Sequence, residues 1–517
     1  MRPQEERALK VLHRAGRPLS IDEIADRLGI SIRTARRIVS KLEDKGLVSS
    51  MTVGRKKLYK PTLRSQQLTA FLESEQYSLL EVEAIPKRIK AMTKKEVQTA
   101  YKLAKEHILN TKPEELRKEL IDFLEDEIKR MANKRGEEVR RSIEKMERDK
   151  VMLASMEWIG GMRHIGHNVD TDHEIIVTGS DASDDSLYII WHCGPIPIAI
   201  HAHVVACVGV PWEISKEGYE ERGIIRQPEF PLSAGDMYFE DLSSKYPGLD
   251  ESQRRTIGLI NMNTAHYEFD KRLIVKEPPD IHFHDGRLLP PHMHYLDFVY
   301  EWRREPLRRC FEAAVSLKEM ARRLRCELVG VVKEPHPQMQ IMKKVVAMLI
   351  SKNCTNVKYL ELATHMEELF LLDELLSNNT VSWIIKFKPM GTYLEGQEEQ
   401  AKKVLGEREL YIYTRYLKDF EFCFFYAKHR DGGVARYDIY CYDDSHASLI
   451  QRRDRISIIA NSLAMPLIES HYRPERRYRV SVPNVVAIAD RESRGWARSV
   501  ANIIAGYIRE RLMGGGR

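Results

Sequence analysis

At 517 residues the chain is too long for one simple core, so two or three domains are expected. Its 43% hydrophobic and 31% charged residues suit a soluble globular protein; no apolar run is long enough to span a bilayer, and a terminus charged from Arg2 onward is not a secretory signal. Seven cysteines without a C-x-x-C pair argue against a structural zinc site or disulfide framework and for a reducing compartment, read as cytoplasmic.

The net charge of +6 is unevenly spread. Residues 1–62 carry 15 Lys and Arg against 7 Asp and Glu, a surplus of 8, which leaves the remainder slightly acidic. Such local charge suits phosphate binding by counterion release, although a solvated basic face has the same composition. The pattern separates the two. Ala8, Val11 and Leu12 stripe a first helix that ends at Gly16. Ser20 caps a second, with Glu23 as its capping-box partner and Ile21, Ile24, Ala25 and Leu28 as its apolar face. Gly29 makes the turn, and Ser31 caps a third helix, to about Lys45, that packs through Ala35, Ile38, Val39 and Leu42. Leu47–Met51 and Lys57–Lys60 then read as a hairpin with Gly54, Arg55 and Lys56 at its tip. This is a winged helix-turn-helix. Arg33, Arg36, Arg37 and Lys41 face outward for the major groove, and Arg55 and Lys56 form a basic wing for the DNA backbone. Winged helices also serve as protein-docking modules, but basic charge on both elements favours DNA.

Residues 63–158 are charge-rich and periodic at helical spacing. Pro86, Asn110–Pro113 and Asn133–Gly136 divide them into about four helices, with Thr93 and Thr111–Pro113 marking starts and the last helix spanning Glu137–Trp158. They read as a dimerising arm, a spacer, or a helical subdomain packed on its neighbours.

From Gly160-Gly161 the texture is mixed α/β. Glu174–Val177 reads as a short strand, followed by the turn-rich acidic run Gly179–Asp185 and by strands at Leu187–Trp191 and Ile196–Val210. A strand running into a carboxylate and then a hairpin is how ribonuclease-H-like nucleases begin. Glu268 lies on an expected helix, Arg254–Arg272. Asp285 ends the strand Ile281–His284 at a tight turn with Gly286. Val329–Val332 is a buried strand ending at Lys333, and Val485–Ala489 reads as a strand leading through Asp490 into a helix to about Arg511. In a chain with 76 acidic residues each carboxylate alone is weak. Four at element ends suit magnesium or manganese, hard ions that take oxygen ligands, and phosphodiester hydrolysis commonly uses two such ions about 3.5–4 Å apart.

Other groups carry alternatives. His282, His284, His292 and His294 could bind a metal, line a phosphate cleft or lie exposed, and His201 and His203 read as core or rim. The aromatic run Tyr411–Tyr426 reads as strand core, with base stacking the sharper alternative. No G-x-x-x-x-G-K-[ST] loop is present.

Residues 160–510 resemble the NurA nuclease family. The resemblance rests on Ile175–Ser183 (IIVTGSDAS), Arg255 with Glu268, Ile281–Leu289 (IHFHDGRLL), Val329–Lys333 (VGVVK) and Val482–Ser493 (VPNVVAIADRES). It implies a ribonuclease-H-like core in a manganese-dependent (or magnesium-dependent) deoxyribonuclease with two ions. It further implies single-strand endonuclease and 5′-to-3′ exonuclease activity, a homodimer, and partnership with a HerA-type hexameric ATPase in double-strand-break repair. By position, Asp181, Glu268 and Asp285 would be metal ligands and Lys333 would lie near the scissile phosphate. The family's Asp-Gly-Ser is Asp181-Ala182-Ser183 here, where Asp184 and Asp185 compete for the ligand role, and Val482 and Asp490 replace a Tyr and a His. Aspartate is itself a hard-metal ligand, which brings Asp490 into the metal set. The expected domains are a winged helix over 1–62, a helical segment over 63–158 and a nuclease domain over 159–517. A winged-helix transcriptional regulator and a catalytically degenerate adaptor are the competing functions.

Overall fold

The structure, a computed structural model, describes residues 8, 11–12, 19–28, 30–44, 48–53, 56–61, 94–166, 169, 173–193, 196–215, 218–229, 248–290, 294–333, 339–353, 358–365, 368–394, 396–442, 444–466 and 480–514. The chain forms two compact units, Met1–Lys90 with Ile468–Tyr478, and Ala91–Leu467 with Arg479–Arg517.

In the first unit, β1 (Leu19–Ser20), β2 (Val48–Val53) and β3 (Lys56–Pro61) form a small sheet in the order β1-β3-β2, beside helices Ile21–Leu28 and Ile32–Asp44. The capping box is present: Glu23 N–H donates to Ser20 Oγ at 3.3 Å, and Ser20 N–H donates to the Glu23 carboxylate at 2.8 Å. Thr34 N–H donates to Ser31 Oγ at 3.2 Å and so starts the next helix. Ala8, Leu12, Ile24, Ala25, Ala35, Ile38, Val39 and Leu42 share the core, which fixes the phase that leaves Arg33, Arg36 and Arg37 exposed and Lys41 half-buried. The hairpin is longer than the sequence pattern suggests. The Arg55 tip lies outside the described residues, and of Lys56 only the backbone is described.

The second unit is a mixed sheet with helices on both sides. Its strands are β4 (Met156–Ile159), β5 (Arg163–His164), β6 (Ile175–Cys193), β7 (Ile196–Ser215), β8 (Gly218–Glu221), β9 (Ile225–Glu229), β10 (Ile281–Asp285), β11 (Glu327–Val332), β12 (Thr380–Val381), β13 (Ile384–Phe387), β14 (Phe422–Lys428) and β15 (Val434–Tyr440). The main path runs β4-β13-β14-β15-β11-β10-β6-β7-β8. β10 is parallel to both its neighbours, and the other pairs are antiparallel. A short pair, β16 (Ala464–Pro466) and β17 (Ser481–Pro483), lies apart.

Three elements differ from the sequence reading. Gly179–Asp185 is no turn but the middle of β6, paired residue for residue with Val210–Val204 of β7. An apolar neighbour strand and small alternating residues hold it extended despite its polarity. Val485–Ala489 is the first turn and a half of the helix Asn484–Gly514, because Val485, Val486 and Ala489 bury on one helical face. The helix expected to reach Trp158 stops at Ala154, and Met156–Ile159 joins the sheet against β13. The helices Lys94–Asn110 and Pro113–Ala132 pack on the helix Ile341–Asn353, so the middle segment from Lys94 onward is part of the second unit, while residues 63–93 lie outside the described residues. Pro113 takes the first helical position, as the sequence suggests. Thr93 lies outside the described residues.

Candidate active site

The register of β6 and β10 creates the site. Ile281 pairs with Val177 and so on to His284 with Ser180, so the next step sets Asp285 beside Asp181. Side chains alternate across a strand. A Cβ on Gly179 would fall 2.6 Å from the Val485 side chain, so Gly179 and Asp181 face the C-terminal helix Asn484–Gly514. Only glycine lets that helix lie so close, and the helix in turn delivers Asp490 and, one turn on, Ser493 and Arg494. Gly286, at φ 122°, turns the chain directly after Asp285, and Lys333 follows the last residue of β11. Carboxyl ends of parallel strands are where α/β sheets place their chemistry.

Asp181, Asp285 and Asp490 each offer a carboxylate oxygen, and these oxygens lie within 4.8 Å of one another. Asp181 and Asp490 are 6% and 4% exposed. The Lys333 ammonium, 7% exposed, bonds Asp285 and lies 3.1 Å from Asp490. Arg494 reaches Asp490 at 2.6 Å from the rim. Ser183 donates to Asp181 Oδ2 at 2.9 Å, and Ser493 donates to the same oxygen.

Burial works against ionisation of Asp181, but Lys333, the bond with Asp285 and the Ser493 hydroxyl outweigh it and hold this carboxyl at about 2. Burial pushes Asp285 well above the usual carboxylate range; Lys333 opposes this, while the neighbouring Asp181 and Asp490 charges add to it. Lys333 is raised because the three carboxylates overcome its own desolvation.

Glu268 does not join this cluster. It sits exposed on the helix Glu251–Lys276, which the Asp250–Gln253 capping box starts. The helix turns its 266 and 270 positions to the sheet, and a residue two steps from either lies about 160–200° around the axis. Asp184 and Asp185 are half-buried further along β6.

On the opposite sheet face Ser180, His282 and His284 meet His266 and Asp270 of that same helix, all buried. Asp270 Oδ2 lies 2.6 Å from His284 Nδ1 and 3.2 Å from His282 Nε2. Ser180 Oγ is 2.9 Å from His266 Nε2, and the rings of His266 and His284 stack at 3.9 Å. Burial, reinforced by His284, depresses His266 to about 3, so its ring is neutral. Burial opposes the charge on Asp270, but the histidines around it hold this carboxyl well below the usual range.

Residues 1–49 match the family model described as winged helix-turn-helix DNA-binding. No curated protein matches the chain. Among solved structures, the crystal structure of the NurA nuclease from Sulfolobus solfataricus is similar over 72% of this chain and 95% of that one, at 12% identity and a TM-score of 0.36.

Ser493, Arg494, His266 and Asp270 were not singled out as site residues from sequence. Their signals were helical spacings from known carboxylates, i+3 and i+4 from Asp490, and an H-x-x-x-D step. His292 lies outside the described residues, as do the side chains of His201 and His203. His294 caps a short 3-10 helix through its ring, accepting from Leu296 N–H at 3.2 Å. The aromatic run splits: Tyr411 is 74% exposed on a helix, while Phe422, Phe424, Phe425 and Tyr426 are strand core.

Proposed function

We propose that the second unit is a metal-dependent deoxyribonuclease and that the winged helix gives it a grip on DNA. The observation that carries this reading is the convergence of Asp181, Asp285 and Asp490 around Lys333. Their donors are all carboxylate oxygens, which fit manganese or magnesium, and we assign them a pair of such ions. When bound, these ions supply Lewis acidity toward a phosphoryl oxygen and lower the pKa of a coordinated water. Asp181 stays ionised as a ligand at any working pH. Lys333, with three N–H donors, can exchange a carboxylate oxygen for a phosphate oxygen, and Arg494 at the rim offers a planar fork for the next phosphate. Burial keeps these groups dry, which strengthens each contact.

The wider reading is a cytoplasmic homodimer that processes DNA ends in double-strand-break repair and takes ATP-driven motion from a HerA-type hexameric ATPase. The lack of a phosphate-binding loop of its own is consistent with a borrowed motor.

The purified full-length chain, incubated with manganese and labelled single-stranded or blunt duplex DNA, should cut it, and Asp285→Ala should slow cutting by about 10³-fold or more. No cleavage, or equal cleavage by the variant, overturns the nuclease reading. The exposed Arg33, Arg36 and Arg37 also favour a second reading, a transcriptional regulator; a defined footprint on uncut duplex would support it. Replacing these three arginines with alanine should lower the slope of log affinity against log salt by about 3 if each meets a phosphate.

A further inference from the structure

The histidine pocket between the sheet and the helix Glu251–Lys276 belongs to neither the acidic cluster nor the winged helix. We propose that His266, Asp270 and His284 form a second metal site, selective for a borderline transition metal such as zinc. One atom from each lies within 4.8 Å of the others: an imidazole nitrogen from His266 and His284, and a carboxylate oxygen from Asp270. A tetrahedral zinc ion needs its donors about 3.3 Å apart, a distance small side-chain rotations would reach. His282 Nε2, 3.2 Å from Asp270 Oδ2 and 3.3 Å from Ser180 Oγ, would be a fourth donor on releasing Ser180.

Two further features point to an ion rather than to a closed hydrogen-bond network. Asp270 is 0% exposed, yet its Oδ1 makes no hydrogen bond among the described residues, with His266 Nε2 at 3.6 Å too far for one, and a buried carboxylate oxygen left so is costly. The outer nitrogen of His282, Nδ1, pairs with Thr178 Oγ1 at 2.6 Å, the kind of outer bond that fixes the tautomer of a metal-ligating imidazole. Nitrogen donors separate this site from the acidic one. Imidazole favours zinc, cobalt, nickel and copper, whereas an all-carboxylate set favours magnesium and manganese. The two sites also occupy opposite faces of β6 and β10.

The test uses the full-length chain, stripped with a chelator and resupplied with zinc or cobalt. We expect about one equivalent of zinc to stay bound through gel filtration with a nitrogen-containing first shell of at least two imidazoles in X-ray absorption, and cobalt to give the intense visible bands of a tetrahedral site. Thr178→Val, which removes the outer partner of His282, should weaken binding about 10- to 100-fold. Failure to retain zinc, or an oxygen-only shell, overturns the proposal, the latter because it reports the acidic face instead. His284→Gln, if folded by circular dichroism, must lose the ion, and retention with an unchanged shell also overturns it. If that variant does not fold, the wild-type absorption spectrum decides. None of these readouts depends on DNA cleavage, so the nuclease reading and this one can fail separately.

Discussion

β6 and β10 carry two different chemistries on their two faces. Asp181 and Asp285 point to one side, toward the C-terminal helix and Asp490. Ser180, His282 and His284, one residue off in each strand, point to the other, toward His266 and Asp270. Period-two alternation alone separates an oxygen cage from a nitrogen cage within a single pair of strands. The acidic face has a built-in cation, Lys333, and opens to Arg494 at its rim. The histidine face has no lysine or arginine paired to Asp270 among the described residues and is closed by the helix Glu251–Lys276. A face with a rim suits a polymeric substrate, and a closed one suits a resident ion.

The largest effect that would break this contrast is on cleavage. Asp181→Asn keeps the shape but removes the charge that Ser183 and Ser493 orient, and DNA cutting in manganese should fall by about 10³-fold. A fall of less than tenfold would mean that Asp181 is a structural acid and that the two faces do not differ as described.

Lys333→Met tests the built-in cation. It leaves Asp285 and Asp490 buried without their ammonium, and breaking a buried pair in this way costs about 3–5 kcal/mol. Without divalent ions the variant should melt well below the wild type. Adding manganese should raise its Tm by more than it raises the wild type's, because the ion then takes the place the ammonium held. Equal metal-induced shifts in the two proteins would show that Lys333 and the ion do not compete for these carboxylates.

Much of the acidic face was legible in the sequence, since strand ends are marked locally. Asp285 before Gly286 and Lys333 after an apolar run are such marks; the first is one of the converging carboxylates and the second pairs with two of them. Glu268 failed because a helix face is set by what it packs on. Only the sheet, with Gly209 taking Leu273 and Phe269 of that helix, turns 266 and 270 inward. The strand reading of Val485–Ala489 came from β-branched residues, but the requirement to seat a helix on Gly179 overrode that local preference. The polar run at 179–185 looked like a turn because its strand character comes from β7, a neighbour distant in the chain at its far end. The histidine pocket has only partial local marks, His282 with His284 and the His266-x-x-x-Asp270 step, because its members are gathered from β6, β10 and a helix.

A buried acid away from both faces isolates what the close cations do. Glu368 is 1% exposed, and among the described residues its bonds come from the Tyr426 hydroxyl and the Met342 amide, with no lysine or arginine ion pair. Burial pushes it up to about 7, although Tyr426 and the more distant Arg436 pull the other way. Asp181, also buried but beside Lys333, goes down instead. The folded chain thus holds the Glu368 proton that the unfolded chain releases near pH 4.5, so stability falls as pH rises from there to about 7. The slope approaches about 1.4 kcal/mol per pH unit and the total loss is about 3 kcal/mol. Gln mimics the protonated acid with one acceptor and one donor. Glu368→Gln should therefore match the wild type in denaturant melts at pH 5 and exceed it at pH 8. Parallel stability curves across that range would mean that burial is not what governs this acid, and would remove the baseline against which Lys333 is credited with holding Asp181 ionised.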